Sequence, residues 1–321
     1  MSLETVQISK LQQWLGGKAD WCLFSISYEA RSPIIRNSLL NAPVRFIGFH
    51  NANHSYNAEA LADAKKKIAG LVEVSLNSDA PLESLDAMRT AIATHITGNS
   101  PAKIAVDITC FTRESLAILI MTLRHILPSG SRIYCLYNKA SGYGESPKDK
   151  EHHGWLTQGI IGIRSILGYR GRVSLIADTH LILLPGFEIE RAHGIIDTLQ
   201  PNRLTIGEID PGESIRPEFA PVVGEMNERL MNYYPEQKIS HFRFSSRDPT
   251  FTADSLLKCV VESENTVVAC LNTKLAMMGV IIAALSDQNI QLVYAQPVQY
   301  NLKSLSKPSD EVLAFEVPLS Q

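Results

Sequence analysis

The sequence predicts an α/β protein made of two tandem Rossmann-like parallel-sheet halves related by internal duplication. Short apolar runs alternate with longer segments of helical period along the whole chain, the pattern of parallel strands joined by helices. At 321 residues the chain has room for two domains of ordinary size. Landmarks also recur at a nearly constant spacing. VRFIG at Val44 and RLTIG at Arg203 lie 159 apart, RIYCLY at Arg132 and QLVYAQ at Gln291 again 159, and Thr112-Arg113 and Thr273-Lys274 161. SYEAR at Ser27 and GFEIER at Gly186 correspond with one inserted residue.

In the first half, strands are predicted over 21–27, 44–49, 71–76, 103–108 and 132–137. Each is a compact apolar run of the kind that parallel strands buried on both faces require. Between them, helices are predicted over 31–40, 57–69, 82–96 and 114–127, where apolar residues return every three or four positions. Residues 142–150 (GYGESPKDK) are rich in glycine and charge and read as a loop. A helix is expected over 154–169, and Gly171 opens the second half.

That half repeats the order. Strands are predicted over 181–184, 203–206, 240–244, 266–271 and 290–295. Helices are predicted over 190–198, 217–232, 253–263 and 274–286. The last twenty-odd residues are expected to form an extra strand or an ordered tail. Domains are therefore expected at 1–150 and 151–321, with a linker at about 142–172.

Composition narrows the function classes. Lys and Arg total 30 against 33 for Asp and Glu, so no basic excess marks a nucleic-acid-coating protein. Cys22, Cys110, Cys135, Cys259 and Cys270 are widely spaced in apolar contexts, which predicts buried reduced thiols. His152-His153, the one histidine pair, falls in a charged loop, and no metal site is expected. Residues 1–15 lack the basic-then-apolar pattern of a signal peptide. The apolar runs at 116–121 and 277–285 are far shorter than the ~18 residues of a membrane span. A soluble, cytoplasmic protein with no membrane partner is expected.

In open parallel sheets ligands bind beyond the carboxyl ends of the strands. Two loops per half lie there. The first carries Ser27, Tyr28, Glu29 and Arg31 in one half, and Phe187, Glu188, Glu190 and Arg191 in the other. A helix start with an arginine suits an anion. The alternative is an ordinary helix start capped by Ser27 or Ser32. The second loop carries Asp107, Thr109, Thr112 and Arg113, and in the other half Asn272, Thr273 and Lys274. Hydroxyls, backbone N–H groups and one cation suit a phosphate or ribose, and Thr112 as a plain N-cap is the alternative. The chain has no GxGxxG, P-loop, GxSxG or HExxH motif. Cys110 lies in the second loop without a histidine nearby in sequence, so an inert thiol is favoured over a nucleophile.

A strand, a small polar loop with Thr and Lys or Arg, then an apolar helix resembles the CARF and SAVED sensor domains of prokaryotic defence systems. There the loop often reads like TGGTK; here residues 107–113 and 272–274 correspond, with Cys110-Phe111 and Leu271-Asn272 in place of the glycine pair. The resemblance implies a cyclic or linear oligonucleotide across the junction of the halves, facing Thr112, Arg113, Thr273 and Lys274. It also implies a separate effector protein as partner.

Three functions follow from these residues. The first is a nucleotide-binding sensor or regulatory protein. The second is an enzyme acting on a phosphorylated or nucleoside substrate in the first half, with Asp107 and Glu29 as catalytic acid/base candidates and Arg31 and Arg113 as clamps. The third is an adaptor, in which Arg31 and Arg113 would be held by neighbouring side chains. No cofactor is identified by any motif.

Overall fold

The structure is a computed structural model that describes residues 2–96, 98, 100–143 and 155–318. It divides into two compact units, Met1–Gly144 with Ser306–Gln321, and Glu145–Leu305.

The first unit contains strands β1 (Glu4–Gln7), β2 (Trp21–Ser25), β3 (Arg45–Asn51), β4 (Val72–Leu76), β5 (Lys103–Asp107) and β6 (Arg132–Tyr143). Its helices are α1 (Leu11–Leu15), α2 (Ser32–Ser38), α3 (Ala58–Lys67), α4 (Pro81–His95) and α5 (Arg113–Ile126). The parallel strands run in the order β6-β5-β2-β3-β4. With β2 counted as the first, this is the 3-2-1-4-5 order of a doubly wound sheet, and the winding reverses between β2 and β5. Trp21, Cys22, Leu23 and Phe24 of β2 are all buried, as a central strand covered on both faces demands. The helix after β5 buries Leu116, Ile118, Leu119, Ile120 and Leu123 against the sheet.

The second unit contains β7 (Thr157–Arg170), β8 (Thr179–Leu184), β9 (Arg203–Ile209), β10 (Ile239–Phe244), β11 (Asn265–Cys270) and β12 (Gln291–Tyr300). Its helices are α6 (Ile189–Leu199), α7 (Ala220–Asn232), α8 (Pro249–Leu257) and α9 (Lys274–Ser286). The parallel order β10-β9-β8-β11-β12 is again 3-2-1-4-5, so both units are Rossmann-like. A last strand, β13 (Ser306–Val317), follows β12. Among the described residues no helix is long and apolar enough to cross a membrane.

The two outer antiparallel strands are exchanged along the chain. β7 follows β6 in sequence but pairs with β12. β13 follows β12 but pairs with β6, and β1 pairs with its other edge. Each fifth parallel strand is thus covered by the strand that follows its counterpart.

Several expectations change. The helix expected over 154–169 is strand β7 for the residues described. Ile160, Ile161, Ile163 and Ile166 are β-branched and Gly159 and Gly168 take positive φ, which suits a bulged strand better than a helix. The expected linker at 142–172 is accordingly occupied by the end of β6 and by β7, while 144–154, with His152 and His153, lies outside the described residues. Residues 306–321 belong to the first unit rather than to the C-terminal half. Helix α8 also starts four residues earlier than expected, because Asp248 caps it through the Thr250 and Phe251 N–H groups. Strand β1 and helix α1 had no counterpart in the expected elements.

Candidate functional site

In each unit the strand-order reversal brings the two polar loops side by side. They follow β2 and β5 in the first unit, and β8 and β11 in the second.

The first loops are tied inward. The Arg31 guanidinium donates to the Tyr137 hydroxyl at 3.3 Å and the Asn138 carbonyl at 3.1 Å, both on β6, and pairs with Glu29 at 3.1 Å. Glu29 also accepts from the Ser306 hydroxyl at the start of β13, at 3.2 Å. The second unit repeats this. Arg191 donates to the Ala295 carbonyl on β12 and pairs with Glu188 at 3.6 Å, and Glu188 accepts from the Thr157 hydroxyl at the start of β7. Arg31 and Arg191, expected as an anion fork, thus both donate to the fifth strand of their own sheet. Arg31 is 8% and Arg191 2% exposed, and each ties its loop to the fifth strand and, through its glutamate, to the exchanged strand. Ser27 and Ser32 do not cap α2 either. The Ser27 hydroxyl accepts from the Glu29 N–H, and the Ser32 hydroxyl bridges the Ser25 carbonyl and the Ser27 N–H.

Asp107 ends β5 and Thr109 lies in the second loop of the first unit. Asp107 is 2% exposed and Thr109 fully buried. An Asp107 oxygen accepts from the Thr109 N–H at 3.0 Å, and the Thr109 hydroxyl accepts from the Asn138 N–H. Burial pushes the Asp107 carboxyl up to about 6, although the Thr109 hydroxyl and N–H and the Arg31 and Arg36 cations pull it down. In the second unit the strand ends in Cys270, so the carboxyl has no equivalent. Cys22 and Cys135 have thiols pushed up by burial and are inert, Cys270 is buried, and Cys110 and Cys259 are half-buried.

The second loops end alike. Thr112 and Thr273 are both N-caps, accepting from the Ser115 and Ala276 N–H groups. Arg113 and Lys274, the first helical residues, are half-exposed beside these caps. The second-unit loop is the shorter one. Asn272 donates to the Pro185 carbonyl at 2.6 Å and joins it to the loop after β8. A Cβ on Gly186 would meet the Leu271 carbonyl oxygen at 2.7 Å, so only glycine permits this approach.

Aromatic rings stand at the same end of each sheet. Tyr28 lies edge-on to Tyr56, with centroids 4.5 Å apart, and His54 stacks on Tyr56 at 4.9 Å. Phe187 lies edge-on to Phe219, and Trp155 to Phe187. Sequence reasoning singled out Tyr28 but missed His54, Tyr56, Asn138, Thr157 and Ser306. Position after the second strand signalled the first two. The others needed the strand pairing.

No protein-family model matches the chain. No curated protein matches it either. Solved structures do. A type III CRISPR defence DNA nuclease activated by cyclic oligoadenylate matches at 9% identity, over 84% of this chain and 64% of its own, with a TM-score of 0.47. Can2 from Sulfobacillus thermosulfidooxidans, in complex with cyclic tetra-adenylate, matches at 11% identity over 40% and 34%, with a TM-score of 0.29. The mitomycin 7-O-methyltransferase MmcR matches at 9% over 41% and 36%, with a TM-score of 0.25. This chain spans less than two thirds of the length of each, and at such identities these likenesses assign no ligand.

Proposed function

We propose that the protein is a nucleotide-binding sensor in which each unit can hold a ligand phosphate at a helix N-terminus, that of α5 in the first and that of α9 in the second. The observation that carries this is the recurrence, in both units, of a capping threonine followed by a cation at the strand-order reversal: Thr112 with Arg113, and Thr273 with Lys274. The first turn of such a helix offers N–H groups to an anion, and the neighbouring cation adds charge. The ligand is a nucleotide or short cyclic or linear oligonucleotide. The output passes to a separate effector protein, in the prokaryotic defence setting that the CARF and SAVED resemblance implies. Arg31, Arg191, Glu29 and Glu188 hold the loops rather than the ligand, and the two halves are copies of one ancestral unit.

The test is thermal stability against a nucleotide panel, repeated on Arg113→Ala and Lys274→Ala. A ligand at 100 times its dissociation constant adds ~2.7 kcal/mol. A shift in the wild type that the variants lose supports the sensor; no shift with any nucleotide overturns it.

Enzymatic action in the first unit is the second reading, and the raised Asp107 carboxyl favours it. Mass spectrometry of nucleotide recovered after incubation separates the two. Unchanged nucleotide supports the sensor. A product that disappears in Asp107→Asn supports the enzyme. The adaptor alternative expected both Arg31 and Arg113 to be held by neighbours; Arg31 pairs with Glu29 and donates to Tyr137 and Asn138. Binding of a nucleotide decides against it.

A further inference from the structure

At the amino ends of the strands, away from the polar loops, the two sheets correspond position by position. Trp21 of β2 stands opposite Arg45 of β3 and Ile104 of β5. In the second sheet His180 of β8 stands opposite Arg203 of β9 and Thr266 of β11. Each arginine leans on the residue across from it. Arg203 donates to the His180 Nδ1 at 2.9 Å, and the Arg45 guanidinium lies over the Trp21 ring, 4.0 Å from its centroid. The next shell differs. Arg203 also pairs, at 3.4 Å, with Glu264, two residues before Thr266. Two residues before Ile104 the first unit has Ala102. Among the described residues the Arg45 guanidinium has no ion pair or hydrogen bond, and neither has the Asp20 carboxylate. The Arg45 N–H donates to the Asp20 carbonyl at 2.9 Å, so the two opposite charges start from adjacent strand ends without pairing. Both line a cavity of about 430 Å³, together with Ala102, Trp21, Pro43 and Ile96.

We propose that this cavity binds a small zwitterion, an amino acid with an aliphatic side chain. Arg45 takes the ligand carboxylate, the part that Glu264 plays for Arg203 from within the chain. Stacking on Trp21 orients the guanidinium plane and leaves its edge for a bidentate pair. Asp20 takes the ammonium. Its counterpart, the residue before His180, is the neutral Thr179, so the second unit has no such acid and its arginine is already paired. Pro43 and Ile96 give the aliphatic side chain an apolar wall. A few placed charges on a mostly apolar lining, in a volume of this order, are what a small-molecule site requires. The site is independent of the phosphate reading, which concerns the carboxyl ends of the strands.

Calorimetric titration of the full chain compares leucine with 4-methylpentanoate, which lacks the ammonium, and 3-methylbutylamine, which lacks the carboxylate. Leucine should bind at one site per chain, about tenfold or more tighter than either analogue. Arg45→Gln should cancel its advantage over the amine, and Asp20→Asn its advantage over the carboxylate. Both positions are exposed, so neither change threatens the fold. Ala102→Glu, which supplies the acid that the second unit has, should abolish leucine binding in a chain that still unfolds cooperatively. Failure of leucine to bind, or equal affinity for leucine and either analogue, overturns the proposal. An advantage over the amine that survives Arg45→Gln overturns it too. Leucine binding unaltered by Ala102→Glu overturns the equivalence with Glu264. Each of these outcomes leaves the phosphate reading standing.

Discussion

The carboxylate of Glu29 accepts a hydrogen bond at 3.2 Å from the hydroxyl of Ser306, 277 positions further along the chain. The same oxygen holds Arg31 at 3.1 Å. The loop after β2, the fifth strand β6 and the late-coming β13 thus meet in one polar joint. Thr157, Glu188, Arg191 and β12 make the same joint in the second unit.

A chain ending at residue 305 lacks β13 and uncovers the β6 edge. It loses the buried Val312, Leu313, Phe315 and Val317. At ~1.5–3 kcal/mol for each such side chain, the loss approaches the ~5–15 kcal/mol net stability of a whole domain. Amide exchange should show protection lost in β5 and β6 and retained in β8 and β11. Protection retained in β6 would mean that the exchanged strand is dispensable. Ser306→Ala, which removes one hydrogen bond, should cost only ~1 kcal/mol.

Arg191→Ala should destabilise more than Arg31→Ala. Removing one partner of a buried pair costs ~3–5 kcal/mol because the other charge is stranded. The Glu188 side chain left behind is 4% exposed, whereas that of Glu29 is 22% exposed and gains water when Arg31 goes. About 3–5 kcal/mol for Arg191→Ala and roughly half of that for Arg31→Ala are expected from urea unfolding. Equal losses would show that exposure of the stranded acid does not set the penalty.

Asp107 and His180 tilt stability in opposite directions with pH. Asp107 is raised from 3.8 to about 6, so its stabilising contribution is complete below pH 4 and is lost as pH rises through about 6. His180, packed against Thr205, Arg203 and Glu264, is lowered from 6.5 to about 4 by burial and then by the Arg203 cation. Its contribution is complete above pH 6.5 and is lost as pH falls through about 4. A two-unit shift corresponds to roughly 3 kcal/mol. The two nearly offset each other in the wild type, so Asp107→Asn should leave the urea midpoint rising between pH 4.5 and 7, and His180→Gln should leave it falling. An unaltered profile in either variant rules out that group as the source.

The two capping threonines should differ in cost. Thr112→Ala loses a cap worth ~1 kcal/mol. Thr273→Ala loses its cap and also the hydrogen bond that its hydroxyl donates to the Ser246 carbonyl at 2.6 Å, about 1 kcal/mol more. Serine at either position should restore most of the loss in thermal unfolding. A serine variant as unstable as the alanine one would mean that the hydroxyl is not what holds the helix start.

Much of the fold was legible because local signals agreed with it. Buried strands such as WCLFS and KIAVD are apolar on both faces, and α5 and α9 announce themselves by capping threonines. Strand β7 was misread because its isoleucines carry no clear period, and its glycines become intelligible only as bulges against β12. The inward bonds of Arg31 and Arg191 were not legible, because a loop arginine beside a helix start looks the same in sequence whether it faces solvent or the sheet.

Apolar period and loop chemistry along the chain settled the α/β class, the two halves and the places of the polar loops, since these depend on neighbours a few residues apart. The exchange of β7 and β13, the inward turn of both arginines and the burial of Asp107 were decided only by tertiary structure. Each depends on which distant strand supplies the partner, as Asn138 does for Arg31 and Ala295 for Arg191. A buried polar group must find such a partner wherever the fold places one.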